Sequence, residues 1–392
     1  MFAFSAEWLN LLIRWAHMVV GIGWIGASFY FIGLDVSLRK REKMNPGVYG
    51  TAWEVHGGGF YHVEKYTIAP EHLPDDLIWY KWEAYLTFLT GFALLIVQYY
   101  LNPTAFLIDP SVAQLYPWQA IMISVAGLTA GWFIYDRLCR SSIGTNTARL
   151  AVCVYLLIVA AAWAFTHVFS GRGALIHVGA FTGTIMAANV FAIIIPNQKK
   201  IVASLLKGEK PDPRLGAIGK QRSVHNTYLT LPVLLMMVSN HYAFLTNHPQ
   251  SWLLVALIFV VGAMVRHFFV RHEAGDEVAK ILWAPGIAAL GLVVALILTA
   301  PKTSVSGGEH VSDAEVLRIT STHCTPCHSA TPRHEGFAEA PKGIPLDKLD
   351  MIRRYGPQIL TQAVNSNTMP LGNETGMTEA ERKALGAWIL QQ

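Results

Sequence analysis

Near the end of the chain, Cys324-Thr325-Pro326-Cys327-His328 puts two thiols one helical turn apart with an imidazole beside the second. That spacing is the signature of c-type haem attachment. Two such cysteines reach the two vinyl groups on one porphyrin edge, and the adjacent His328 projects onto the iron. The sixth ligand comes from further along, and a methionine opposite the histidine raises the reduction potential. Met369 precedes Pro370 and follows the loop-like Asn365-Ser366-Asn367-Thr368, which can present its sulfur. Met377 is the competitor, while Met351 falls in a helical pattern. A structural zinc pair or a redox dithiol is the alternative reading of Cys324 and Cys327. The neighbouring histidine and the position outside the apolar part of the chain favour haem.

A second set of residues lies in apolar surroundings, where ionisable groups are costly and point to function. Arg14, His17, Gly21, Trp24 and Ser28 advance by three or four residues and so share one helix face. His167, His177 and His241 fall at the ends of apolar runs, on the same side of the chain's path as His17. Four histidines at similar depth suggest a second redox centre, a bis-His haem b. A substrate-binding or proton-transfer cluster competes with it, as does a set of ordinary hydrogen-bonded core histidines. On the opposite side, Trp53, His56, the glycines 57–59, Tyr61, His62 and Lys65 come together with His225, Asn226 and His267. The bland reading there is a solvated loop with interfacial aromatics. The sharper one is a site for a planar ligand, since aromatic rings stack while Lys, His and Asn address the edges of a polar heterocycle. Candidate catalytic residues are therefore Arg14, His17, Trp24, His56, His225 and His267. Cys139 and Cys153 lie at or inside apolar runs and read as reduced, buried residues. No nucleotide-binding glycine pattern and no nucleophile elbow is present.

The elements that position these residues are set by composition. The 392 residues are 53% hydrophobic and 14% charged, with mean hydropathy +0.35. Soluble domains run about 45–50% apolar and about 25% charged, so disordered chains, nucleic-acid binders and plain soluble enzymes are excluded. Eight apolar stretches are long enough to span a bilayer, near 8–36, 84–101, 118–138, 149–169, 174–195, 227–245, 252–270 and 281–300. The first lacks the basic leader and cleavage site of a signal peptide. Alternate connections carry 19 Lys and Arg on one side against Arg172 alone on the other. The positive-inside rule then puts both termini outside the cytoplasm. The expected fold is all-α: an eight-span transmembrane bundle over 1–300, a linker at 301–311, and a small class I-like cytochrome c domain over 312–392. Ser312/Glu315 and Thr378/Glu381 read as capping boxes opening the first and last helices of that domain. Leu385, Trp388 and Ile389 share one packing face of the last.

The run from Trp53 to Lys65, Ser223-Val224-His225-Asn226-Thr227-Tyr228, Asn240-His241-Tyr242 and the terminal haem motif together resemble the bacterial membrane-bound urate oxidase (urate hydroxylase) family with a fused cytochrome c. The resemblance covers essentially the full length. It implies oxidation of urate to 5-hydroxyisourate in the bacterial inner membrane, with electrons leaving through covalent haem c to a downstream periplasmic or membrane acceptor. It carries over no catalytic residue beyond the haem ligands Cys324, Cys327, His328 and Met369.

Overall fold

The computed structural model describes residues 2–67, 70, 73–300, 311–334, 337–366 and 368–391. The linker expected at 301–311 lies outside the described residues except for Val311. Helix α1 (Phe2–Ser37) is followed by strands β1 (Val48–His56) and β2 (Gly59–Tyr66). Then come α2 (Trp82–Leu95), α3 (Pro103–Phe106), α4 (Pro117–Arg140), α5 (Thr147–Thr166), α6 (Gly171–Ala188), α7 (Ile195–Leu206) and α8 (Pro213–Val238). α9 (Ala243–Thr246), α10 (Ser251–Glu273), α11 (Val278–Ile281) and α12 (Trp283–Thr299) complete the first unit. The second holds α13 (Asp313–His323), α14 (Leu349–Arg354), α15 (Gly356–Ile359) and α16 (Glu379–Leu390).

Helices underlie all eight apolar stretches, and among the described residues five have the length and composition to cross a membrane: Glu7–Ser37, Pro117–Arg140, Thr147–Thr166, Gly171–Leu206 and Ser251–Glu273. That is compatible with a membrane protein. The core runs through α4, α5, α6, α8 and α10, where Leu128, Leu150, Ile158, Phe165, Phe181 and Val255 interlock. The expected sixth stretch is displaced: α8 starts at Pro213, capped by Asp212, and ends at Val238. Its first half is polar and buries Arg222 and Asn226 inside the bundle, so hydropathy alone misses it. Three π-helical turns occur among the described residues: Ile96–Tyr100 continuing α2, Asn189–Ile194 between α6 and α7, and Leu360–Val364 after α15 in the second unit. Such turns often occur at functional sites.

Helix makes up 70% of the described residues and strand 5%, so the all-α expectation needs one correction. The segment expected as a loop is an antiparallel hairpin, with Trp53 opposite His62 and Val55 opposite Phe60. Gly57 and Gly58 turn it with φ of 58° and 81°. Paired positive φ is the geometry that suits the right-handed twist of two strands, and glycine takes it without a Cβ clash.

The second unit has its own core of Val316, Ile319, Ile352, Leu385 and Trp388. Thr378 and Glu381 form the reciprocal capping box of α16, whereas at α13 the Ser312 hydroxyl accepts from Glu315 N without the return bond. The backbone and hydroxyl of Thr378, with Arg318 and His323 behind them, hold the Glu381 carboxyl down to about 2. A depressed carboxylate stabilises fully above its unfolded value of about 4.3, and the contribution disappears as pH falls toward 2. Glu381→Ala is therefore expected to cost this unit about 1 kcal/mol at neutral pH. In melts followed by near-UV circular dichroism, variant and parent should converge by about pH 2. A gap that persists in acid would mean the loss is not electrostatic.

Candidate functional site

Three groups of residues hold the chemistry. In the second unit, α13 runs directly into the Cys-x-x-Cys-His turn: Cys327 N and His328 N both donate to Cys324 O, at 3.2 and 2.7 Å. Both thiols are free, although only two residues separate them. His328 Nδ1 pairs with Ile344 O at 2.9 Å, which fixes the ring and leaves Nε2 for a ligand. Burial holds His328 below the usual histidine range, in the neutral form that binds iron, and pushes the Cys324 thiol up to about 12. Met369 and Cys324 pack against the same apolar cluster. The methionine's backbone is pinned on both sides, its N–H donating to Gln362 O at 2.8 Å and its carbonyl accepting from buried Arg382 at 2.6 Å. Met377 is 3% exposed and fills the core. The donor set fits a covalently attached haem: Cys324 and Cys327 would hold it, and His328 and Met369 would supply its nitrogen and sulfur ligands. Among the described residues, no three His, Cys, Asp or Glu side chains converge as a metal site.

This unit sits on one end of the bundle. The Asn247 carboxamide oxygen, oriented by its hydrogen bonds, accepts from Thr368 N at 2.6 Å and from the Thr368 hydroxyl. Gly372 lies with φ 59° over α3, where a Cβ would come within 2.9 Å of Thr104 O. Thr368 and Gly372 flank Met369, so the sulfur-bearing loop itself forms the seat. The lysine- and arginine-rich connections gather at the opposite end, where Lys65 and Lys220 both pair with Asp35 and Arg39 donates to Ala274 O at 3.1 Å.

Beneath the seated loop lies a polar cluster that the sequence only hints at. Tyr99, on the π-helical turn, accepts from Asn240 Nδ2 at 2.8 Å and meets the edges of Phe106 and His177. Tyr100 bonds Ser124 at 2.6 Å, and Ser124 bonds His177 Nε2 at 2.7 Å. His177 Nδ1 lies 2.6 Å from Gly173 O, so both ring nitrogens are engaged. His17 bonds Thr90 at 2.9 Å, close enough to α2 that a Cβ on Gly91 would meet its ring. His167 bonds Trp163 O and stacks on that indole, and His241 is exposed just past α8. Among the described residues no hydrogen bond or ring contact joins any two of these four histidines. Arg14 pairs with Asn10, which donates to Gln98 at 2.6 Å, and Trp24 packs further along α1 against the core.

The lysine-rich end holds the third group, organised by α8. His225 Nδ1 bonds Tyr135 at 2.7 Å, inside a buried net of Asn189, Asn226, Arg222 and Asp136. Three residues on, Tyr228 bonds His267 Nδ1 at 2.9 Å, and His267 faces Trp283 with ring centroids 5.3 Å apart. A surface cleft of about 600 Å³ is lined by His267, Arg271, Lys280 and Trp283. His56 stands apart at the hairpin tip, paired in register with Gly59. Behind the cleft, Arg266 is 3% exposed over the Phe29 ring, with two nitrogens unpartnered. Tyr99, Tyr135, Asn189 and Arg266 were not singled out from sequence. Asn189 and Arg266, polar residues within long apolar runs, were the available signal.

Residues 3–299, about three quarters of the chain, match the model of the family described as urate oxidase N-terminal. The match ends where the second unit begins. No curated protein and no solved structure matches the chain. The chain belongs to the urate oxidase N-terminal family.

Proposed function

We propose that this member of the urate oxidase N-terminal family is a membrane-bound, cytochrome c-linked oxidoreductase that converts urate to 5-hydroxyisourate. Urate and water give 5-hydroxyisourate, two protons and two electrons. Cys324 and Cys327 would hold a haem, with His328 and Met369 as its protein ligands, and that group would pass the electrons singly to a downstream periplasmic or membrane acceptor. When bound, that haem supplies a one-electron relay with the raised potential of a His/Met pair. The single observation that carries this reading is the seat: the loop bearing Met369 rests directly on the bundle formed by the family-matched region. A carrier that only diffused between partners would have no need of that contact. The 19-to-1 charge asymmetry supports eight spans in a bacterial inner membrane, with the second unit and both termini on the periplasmic side.

The experiment is anaerobic addition of urate to the purified protein in detergent. The haem absorption bands should pass from the ferric to the ferrous form without any other reductant. Bands that stay ferric with urate yet reduce with dithionite would exclude urate as the electron donor.

A further inference from the structure

The cluster under the seated loop contains polar groups whose hydrogen-bonding capacity is unspent. Arg172 Nε and Asn240 Oδ1 are buried without a partner, one a donor and the other an acceptor. Both flank Tyr99: Asn240 through its own amide hydrogen bond, and Arg172 from the first turn of α6, whose capping Ser170 hydroxyl donates to Phe106 O at 2.7 Å beside the ring that meets Tyr99. Arg172 is the only basic residue in the three sparse connections, so bulk charge balance does not account for its placement. An unsatisfied buried donor costs about 1–3 kcal/mol, a cost a native protein tolerates where a ligand supplies the missing partner. Both residues are only half-buried, which places them at the rim of the bundle rather than in its closed core.

We infer that the urate anion is held between Arg172 and Asn240 against Tyr99, directly beneath the loop that carries Met369. The inference rests on the urate reading above. Urate presents alternating N–H and C=O groups around a planar anion. Arg172 donates to its carbonyl oxygens and balances its charge, Asn240 accepts from a ring N–H, and Tyr99 closes one side. Tyr99 meets Phe106 at 6.4 Å between ring centroids, and Phe106 belongs to α3, whose Thr104 carbonyl faces Gly372. Substrate and haem unit are then separated only by α3. The cleft at His267 lies at the far end of α4, whose 24 residues extend about 36 Å. Electrons from that end would need a redox group inside the bundle, and this placement needs none.

The test is equilibrium dialysis of radiolabelled urate against the full-length holoprotein, with the haem reduced beforehand by dithionite so that no turnover occurs. Arg172→Gln should weaken binding at least tenfold, and Arg172→Lys less, because the ammonium keeps the charge and loses the fork. Asn240→Asp, nearly isosteric, should weaken it comparably by setting a carboxylate against the anion. The haem spectrum and reduction potential should stay at parental values in all three, which separates lost binding from lost folding. Parental affinity in Arg172→Gln and Asn240→Asp, with loss in His267→Ala, would overturn the placement and move the site to the cleft. A wild-type protein that neither binds urate nor is reduced by it would overturn the functional reading itself.

Discussion

Replacing Cys324 and Cys327 together by alanine should remove the proposed covalent haem from the denatured chain, as read by haem-peroxidase staining after denaturing electrophoresis. Both thioether bonds have to come from these two sulfurs. The other two cysteines lie in the bundle, Cys139 buried in its core and Cys153 on α5. Either single variant should keep a weakened signal through its remaining link. Met369→Ala should retain the stain and lower the reduction potential, because losing thioether sulfur favours ferric iron. An unchanged potential would transfer the sixth position to Met377. Covalent haem that persists in the double variant would end the assignment and with it the proposed electron route.

The largest stability loss is expected at Arg222 when its partner Asp136 is removed. Its side chain is 1% exposed, bonds Asp136 at 2.7 Å and lies 5.0 Å over the Tyr135 ring. Arg140 holds the second oxygen of Asp136 at 2.7 Å. Breaking a buried pair leaves an uncompensated charge and costs about 3–5 kcal/mol, whereas replacing both partners by apolar residues of similar volume is often close to neutral. Asp136→Leu should thus be worse than Arg222→Met, since Arg140 still partners the aspartate in the second case. The double variant should recover most of the loss. In thermal unfolding of the detergent-solubilised protein, Asp136→Leu should lower the midpoint by roughly 5–10 °C. A midpoint equal to the parent's would show that water reaches the pair, and a double variant worse than either single would show that the net of Asn189 and His225 depends on it.

Hydropathy and motif spacing carry over to the structure wherever the cause is local. Each apolar stretch contains a helix because a continuous apolar run has to satisfy its backbone internally. The Cys324–His328 turn follows from spacing alone, as does the Thr378–Glu381 box, since both involve residues three or four apart. The hairpin at Val48–Tyr66 was also legible, in the alternation around Trp53 and the paired glycines, but aromatic and charged residues concealed it as a loop. Tertiary structure decided what depends on residues far apart in the chain. It spent both nitrogens of His177 on Ser124 and Gly173, separated the four histidines of similar depth, and set His225 against Tyr135 of α4 and His267 against Tyr228 of α8. It also set Tyr99 against Asn240, 141 residues away, and seated Thr368 on Asn247. Depth along a helix can be counted from sequence, but the direction in which a side chain points across a bundle depends on which neighbour packs there. That direction decides whether a buried histidine, arginine or asparagine closes a hydrogen bond within the protein or keeps one for a ligand.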